Sequence, residues 1–163
     1  MEQHVRMDAQ EAALDALLEA LGEPVGDTSQ DDRVARLDAQ APGYAQYHRI
    51  GHKRQAAYRR LSADRAAAHH CYPLVLAALL ADDDPSSPRW LAQVLLTVGG
   101  RRRLQEELVA AVEGGDPLRQ VCAVGAWRWA DAGDGPVAER FLAVRREAAE
   151  RCVDPWVRER LAD

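Results

Sequence analysis

Three dipeptides in the second half of the chain, Ser87-Pro88, Asp116-Pro117 and Asp154-Pro155, each open a segment with apolar residues at helical spacing. A polar residue that caps the first backbone N–H groups, followed by a proline whose missing N–H has no partner to lose, favours the start of a helix. Between these starts lie Gly99-Gly100, Gly114-Gly115, and Gly133 with Gly135, at positions where a helix ends and the chain turns. The spacing predicts helices over 88–98, 102–113, 117–131, 136–152 and 155–162. In the fourth of these, Val137, Phe141, Val144, Ala148 and Cys152 form one stripe, with Glu139, Arg145, Arg146 and Glu150 off it.

The first half reads the same way. Val5, Ala9, Ala12 or Ala13, Leu17 and Leu21 predict a helix over 5–21, stopped by Gly22, Pro24 and Gly26. Thr28 or Ser29 is expected to cap a short helix through Ala39, with Asp31 and Asp32 in its first turn. A longer helix follows from Pro42 to Leu61, with Tyr44, Tyr47, Gly51, Tyr58 and Leu61 on its apolar face and Arg49, Lys53, Arg59 and Arg60 off it. Ser62 then caps a short helix broken at Pro73. The segment PLVLAALLAD that follows is apolar on every side, the signature of a helix surrounded by others.

Composition supports an all-α chain. Ala, Leu and Val supply most of the apolar residues, with one Phe and with Ile50 the only isoleucine. A length of 163 residues suits one domain. No apolar run approaches the roughly 18 residues of a membrane span, so no membrane partner is expected. The acidic, amphipathic N-terminal segment lacks the basic start and apolar run of a signal peptide, so a cytoplasmic location is expected. Cys71, Cys122 and Cys152 match no metal spacing and read as free, buried thiols.

Residues 87–100 (SPRWLAQVLLTVGG), 116–127 (DPLRQVCAVGAW) and 154–163 (DPWVRERLAD) carry a further pattern. The latter two resemble the D-P-x-V-R-like opening of the second helix in short bacterial HEAT-like repeats. Arg89, Arg119 and Arg158 stand nearest the motif arginine, at irregular separations. The resemblance covers about residues 72–163. It implies an α-α superhelix, a short solenoid of antiparallel helix pairs in which each unit buries its face against the next and the arginine pairs with a neighbouring unit. The chain is then expected to be a single helical domain of three parts. Acidic helices occupy 1–40, a basic helical segment 41–71, and repeats 72–163.

Charge is unevenly spread. Residues 1–40 hold ten acids and three arginines, a net −7, so the remainder of a chain of net −5 is +2. Arg49, Lys53, Arg54, Arg59, Arg60 and Arg65 follow with only Asp64 among them, and Arg101, Arg102 and Arg103 could extend the strip. Such a face could hold phosphates, but the acidic segment is its nearest counter-charge, and the strip is expected to be an exposed or internally paired face. Trp127 and Trp129, about 200° apart on one predicted helix, require either a helix buried on two sides or an exposed indole suited to binding. His48 and His52 are one turn apart and could share an ion with His69 and His70, although zinc needs about three or four such ligands. Asp82, Asp83 and Asp84 before Pro85 read as a solvated turn. No phosphate loop or nucleophile motif occurs, so no catalytic residue and no cofactor is expected.

The expected function is that of a non-catalytic binding or scaffold module that recognises another protein through its helical-repeat surface. A nucleic-acid-binding repeat protein is the alternative, and a small-ligand- or metal-binding helical protein comes third.

Overall fold

The computed structural model describes residues 1–23, 32–130 and 133–162. Among them the chain forms ten helices and no strand. In order these are α1 (Gln3–Ala20), α2 (Asp32–Gln40), α3 (Tyr44–Ala63), α4 (Arg65–His70), α5 (Tyr72–Leu79), α6 (Pro88–Gly99), α7 (Arg101–Gly114), α8 (Pro117–Trp127), α9 (Pro136–Arg151) and α10 (Pro155–Ala162). Among these residues no helix is long and apolar enough to cross a membrane.

Local chemistry explains most of the ends. The carboxylates of Asp116 and Asp154 accept the N–H groups of Arg119 and Val157 at 3.1 and 3.2 Å, so both aspartates cap as expected. Gly22 ends α1 at φ +66°, and the Gly22 and Glu23 N–H groups return to the carbonyls of Glu19 and Leu18. This is a Schellman closure, in which a left-handed glycine lets the last carbonyls find partners. The expected stops at Pro24 and Gly26 and the caps at Thr28, Ser29 and Asp31 lie outside the described residues. Asp64 caps α4 through the Ala67 N–H at 2.9 Å, in place of the expected Ser62. Ser87 makes no cap bond. Helix α8 stops at Trp127, short of residue 131, because the Trp129 and Ala130 N–H groups turn back to the carbonyls of Ala126 and Trp127.

Packing proceeds from neighbour to neighbour. Helix α1 lies on α3 and α5; α6 touches α3, α4, α5, α7 and α8; α7 touches α8 and α9; and α10 closes on α8 and α9. Helix α5 is surrounded by α1, α4, α6 and α8, which is why so apolar a segment is stable there. Val75, Ala78 and Leu79 of α5 meet Leu91 and Leu95 of α6 and Leu104 and Leu108 of α7 in one core. Each such leucine contributes about 2 kcal/mol by leaving water. On α9, Phe141, Val144 and Ala148 are buried, and Val137 and Cys152 pack at the edge of the same stripe. Cys71 and Cys122 are buried free thiols, and Cys152 is half-buried.

Two faces differ from the sequence expectation. Helix α1 buries Met7, Gln10, Leu14, Leu17 and Leu18 and leaves Val5 exposed at 47%. Its stripe is rotated towards the larger side chains, since they remove more apolar surface than alanines do. Helix α3 buries Ile50, Lys53, Arg54, Ala57 and Leu61, while Tyr47 is 54% exposed. Two cations thus lie on its inner face, a placement that requires partners within the fold.

Candidate functional site

The turn between α5 and α6 organises the most built polar region of the molecule. Asp82 is 2% exposed, so the acid run is not the solvated turn its composition suggests. Each acid has its own partner. Asp82 faces Arg54 of α3, with Arg54 Nη2 donating to Oδ1 at 3.2 Å and Nε lying 3.0 Å from Oδ2. The Ser87 hydroxyl donates to Asp82 at 2.7–2.8 Å, which explains why it does not cap α6. Arg6 of α1 donates to Asp83 at 2.6 Å. Asp84 accepts from the Tyr47 hydroxyl at 3.3 Å and from the Ser86 N–H and hydroxyl.

These contacts set the local protonation. Burial pushes the Asp82 carboxyl up to about 6, against the opposing pull of Arg54 and of the Ser87 hydroxyl. Asp84 is shifted the other way, because despite its burial the Ser86 donors hold its carboxyl below the ordinary value. The turn is a tied-down element, with Asp82 and Asp83 paired to arginines and Asp84 held by the neutral donors Tyr47 and Ser86.

Against this turn opens a cleft of about 580 Å³. Helix α8 contributes Val121, Val124, Gly125 and Arg128; α10 contributes Trp156, Glu159 and Arg160; and α9 contributes Arg145. Trp156 is fixed by guanidiniums, with Arg6 Cζ 4.2 Å and Arg160 Cζ 5.2 Å from its ring centroid. Arg145 is held by the Leu161 carbonyl at 2.6 Å. No ion pair to Arg128 or Arg160 is found among the described residues.

The basic strip behaves differently. Glu11 of α1 receives Arg49 Nε at 3.0 Å and Lys53 Nζ at 2.8 Å, and Lys53 also reaches Asp15 at 2.6 Å. Arg60 lies 3.7 Å from Glu23 and 3.1 Å from Asp64. Against the cost of burial, hydrogen bonds from Arg49, Lys53 and Gln46 hold the Glu11 carboxyl down at about 2. Lys53 shows the counterpart: burial opposes its charge, but Asp15 and Glu11 raise its pKa. The acidic N-terminal helix and the basic α3 are therefore each other's counter-charge, while Arg59 remains exposed.

Arg101, Arg102 and Arg103 open α7 and do not extend that strip, since α3 packs on α1, α2, α4 and α6 while α7 packs on α6, α8 and α9. Arg102 pairs with Glu106 at 2.8 Å. Arg103 pairs with Glu107 at 3.2 Å and lies over the Tyr72 ring at 3.7 Å. The tryptophans are half-buried and share no helix, since Trp129 lies beyond the end of α8. Trp127 stacks on Phe141 with centroids 3.9 Å apart, and the Trp129 indole N–H is buried without an acceptor among the described residues.

His48 and His52 lie with their Nε2 atoms 3.3 Å apart, while His69 and His70 stand exposed on α4. No group of three or more metal-ligating side chains assembles among the described residues. Of the repeat-motif arginines, Arg158 donates to the Cys152 carbonyl at 2.9 and 3.1 Å, within its own turn and not across to another unit.

The cleft was missed in the sequence because its walls come from residues 82–160. Only the polar–proline start at Ser87 and the α10 motif bearing Trp156 hinted at its parts. Comparison with protein-family models, with curated proteins and with solved structures finds no match to the chain.

Proposed function

We propose that this protein is a non-catalytic binding module, a short superhelical stack of HEAT-like helix pairs that recognises a segment of another protein. The observation that carries this reading is the cleft beside the acid turn. It is large enough for several side chains, it carries an aromatic ring with two arginine guanidiniums over it, and its acidic rim is tied to α1, α3 and α6. Rigid aromatic and arginine side chains in a preorganised recess are what protein recognition uses most. The pairwise packing of α5 with α6, α7 with α8 and α9 with α10 supports the repeat arrangement.

The nucleic-acid alternative is less well supported. Affinity for phosphates requires cations free to replace counterions, and Arg49, Lys53 and Arg60 already have carboxylates. A photo-crosslinking residue placed at Val124 tests the proposal in the source cell. A protein adduct that forms from Val124, that persists after nuclease treatment and that does not form from Arg102 is the expected result. Tight, steeply salt-dependent binding of duplex or single-stranded nucleic acid, abolished by Arg49→Glu with Lys53→Glu, would reverse the order of the two readings.

A further inference from the structure

Helix α8 carries a glycine, Gly125, within its last turns. A glycine inside a helix costs roughly 0.5–1 kcal/mol relative to alanine. Glycine is usually retained there because a neighbour leaves no room for a methyl group. That reason is absent at Gly125, since among the described residues a Cβ built on it meets no heavy atom within 4 Å beyond its chain neighbours and its own helix backbone. The space above it is the cleft. Gly51 of α3 has equally open space but lines none of the described cavities, and Gly114, which has open space and lines another, is the last residue of α7, where a glycine is an ordinary helix end. What sets Gly125 apart is therefore its place in the floor of a recess that also holds Arg128 and Arg160.

The charge of the recess is specific. Its aspartates are already answered by Arg54, Arg6, Tyr47 and Ser86. Its guanidiniums are not: Arg145 meets a carbonyl, and no carboxylate reaches Arg128 or Arg160 among the described residues. Among the described residues Asp84 and Glu159 are the cleft acids with no ion pair to an arginine, so the three cleft arginines, Arg128, Arg145 and Arg160, exceed the acids without one.

We infer that the occupant of this cleft is an acidic peptide segment of the partner protein. Its backbone passes close over Gly125, and its side-chain carboxylates bond to Arg128 and Arg160. This inference rests on the protein-binding reading and names its chemistry. A carboxylate matches the planar fork of a guanidinium with two parallel hydrogen bonds. A backbone lying on α8 needs the clearance that any larger side chain at position 125 would remove.

The test uses the full chain and a phage-displayed library of random peptides about a dozen residues long, followed by anisotropy titrations with the selected peptides. The expected result is enrichment of Asp and Glu in those peptides. Affinity should fall tenfold or more both in Gly125→Leu and in the Arg128→Glu, Arg160→Glu double variant, while Gly51→Ala and Arg102→Glu bind as the parent does. Peptides with their acids changed to lysine should regain affinity for the double variant. Because these positions have open space or exposed side chains, all variants should keep the parent's circular-dichroism spectrum. If affinity falls in Gly125→Leu but the peptides carry no acidic preference and the arginine changes are silent, the acidic chemistry is wrong and the cleft reading survives. If no selected peptide depends on Gly125, both fail.

Discussion

Asp82 and Arg54, 28 residues apart in the chain, form an ion pair in which both side chains are buried. It joins the α5–α6 turn to the inner face of α3 and so couples the rim of the cleft to the middle of the helical stack.

Breaking this pair from one side strands a charge in the interior. Arg54→Ala is expected to destabilise the fold by about 3–5 kcal/mol, whereas Arg54→Met combined with Asp82→Leu should recover most of that loss, because no unpaired charge remains. Urea unfolding of the parent and the three variants, including Asp82→Leu alone, measures the cycle. A double variant as unstable as Arg54→Ala alone would contradict this account.

Gly99, the last residue of α6, lies against the buried ring of Tyr72. A Cβ there would come within 2.5 Å of the Tyr72 Cε2 atom. Gly99→Ala is expected to cost about 1–3 kcal/mol by overpacking. Thermal melts should show part of that cost vanish when the same change is made in a Tyr72→Leu background, and equal costs in both backgrounds would argue against the clash.

The caps at Asp116 and Asp154 each satisfy one N–H at the start of a helix. Asp116→Ala and Asp154→Ala should each lose about 1 kcal/mol in chemical denaturation. Ser87→Ala acts through a different group, since its hydroxyl serves Asp82. Its loss should largely disappear in an Asp82→Leu background, while the losses at Asp116 and Asp154 persist there.

Glu11 supplies an acid-limb prediction. Its folded carboxyl is held at about 2, below the ordinary 4.5, so its contribution is present above pH 4.5 and is lost as pH falls towards 2. Stability measured across pH 2–6 should decline less steeply in Glu11→Gln than in the parent, the difference at neutral pH being on the order of 2 kcal/mol. Parallel curves would show that Glu11 gains nothing from Arg49 and Lys53.

The fold class and most helix limits were legible because the signals are local. A proline after a polar cap and a glycine at a turn act within a few residues, so the starts at Pro117, Pro136 and Pro155 can be read without tertiary information. The attraction between the acidic first segment and the basic α3 was also visible, as a charge asymmetry, although not its pairing through Glu11.

The sequence by itself determined an all-helical chain, the places where α8, α9 and α10 begin, and the stripe of α9, because capping and periodicity are properties of neighbouring residues. The tertiary structure decided which way α1 and α3 face, that Asp82 is buried, and that Trp156, Gly125 and Arg128 share one recess. The physical reason is that a charged residue reads as exposed until its partner is known. Arg54 and Asp82 can lie inside only because each neutralises the other, and nothing within one turn of either residue records that the other will be there.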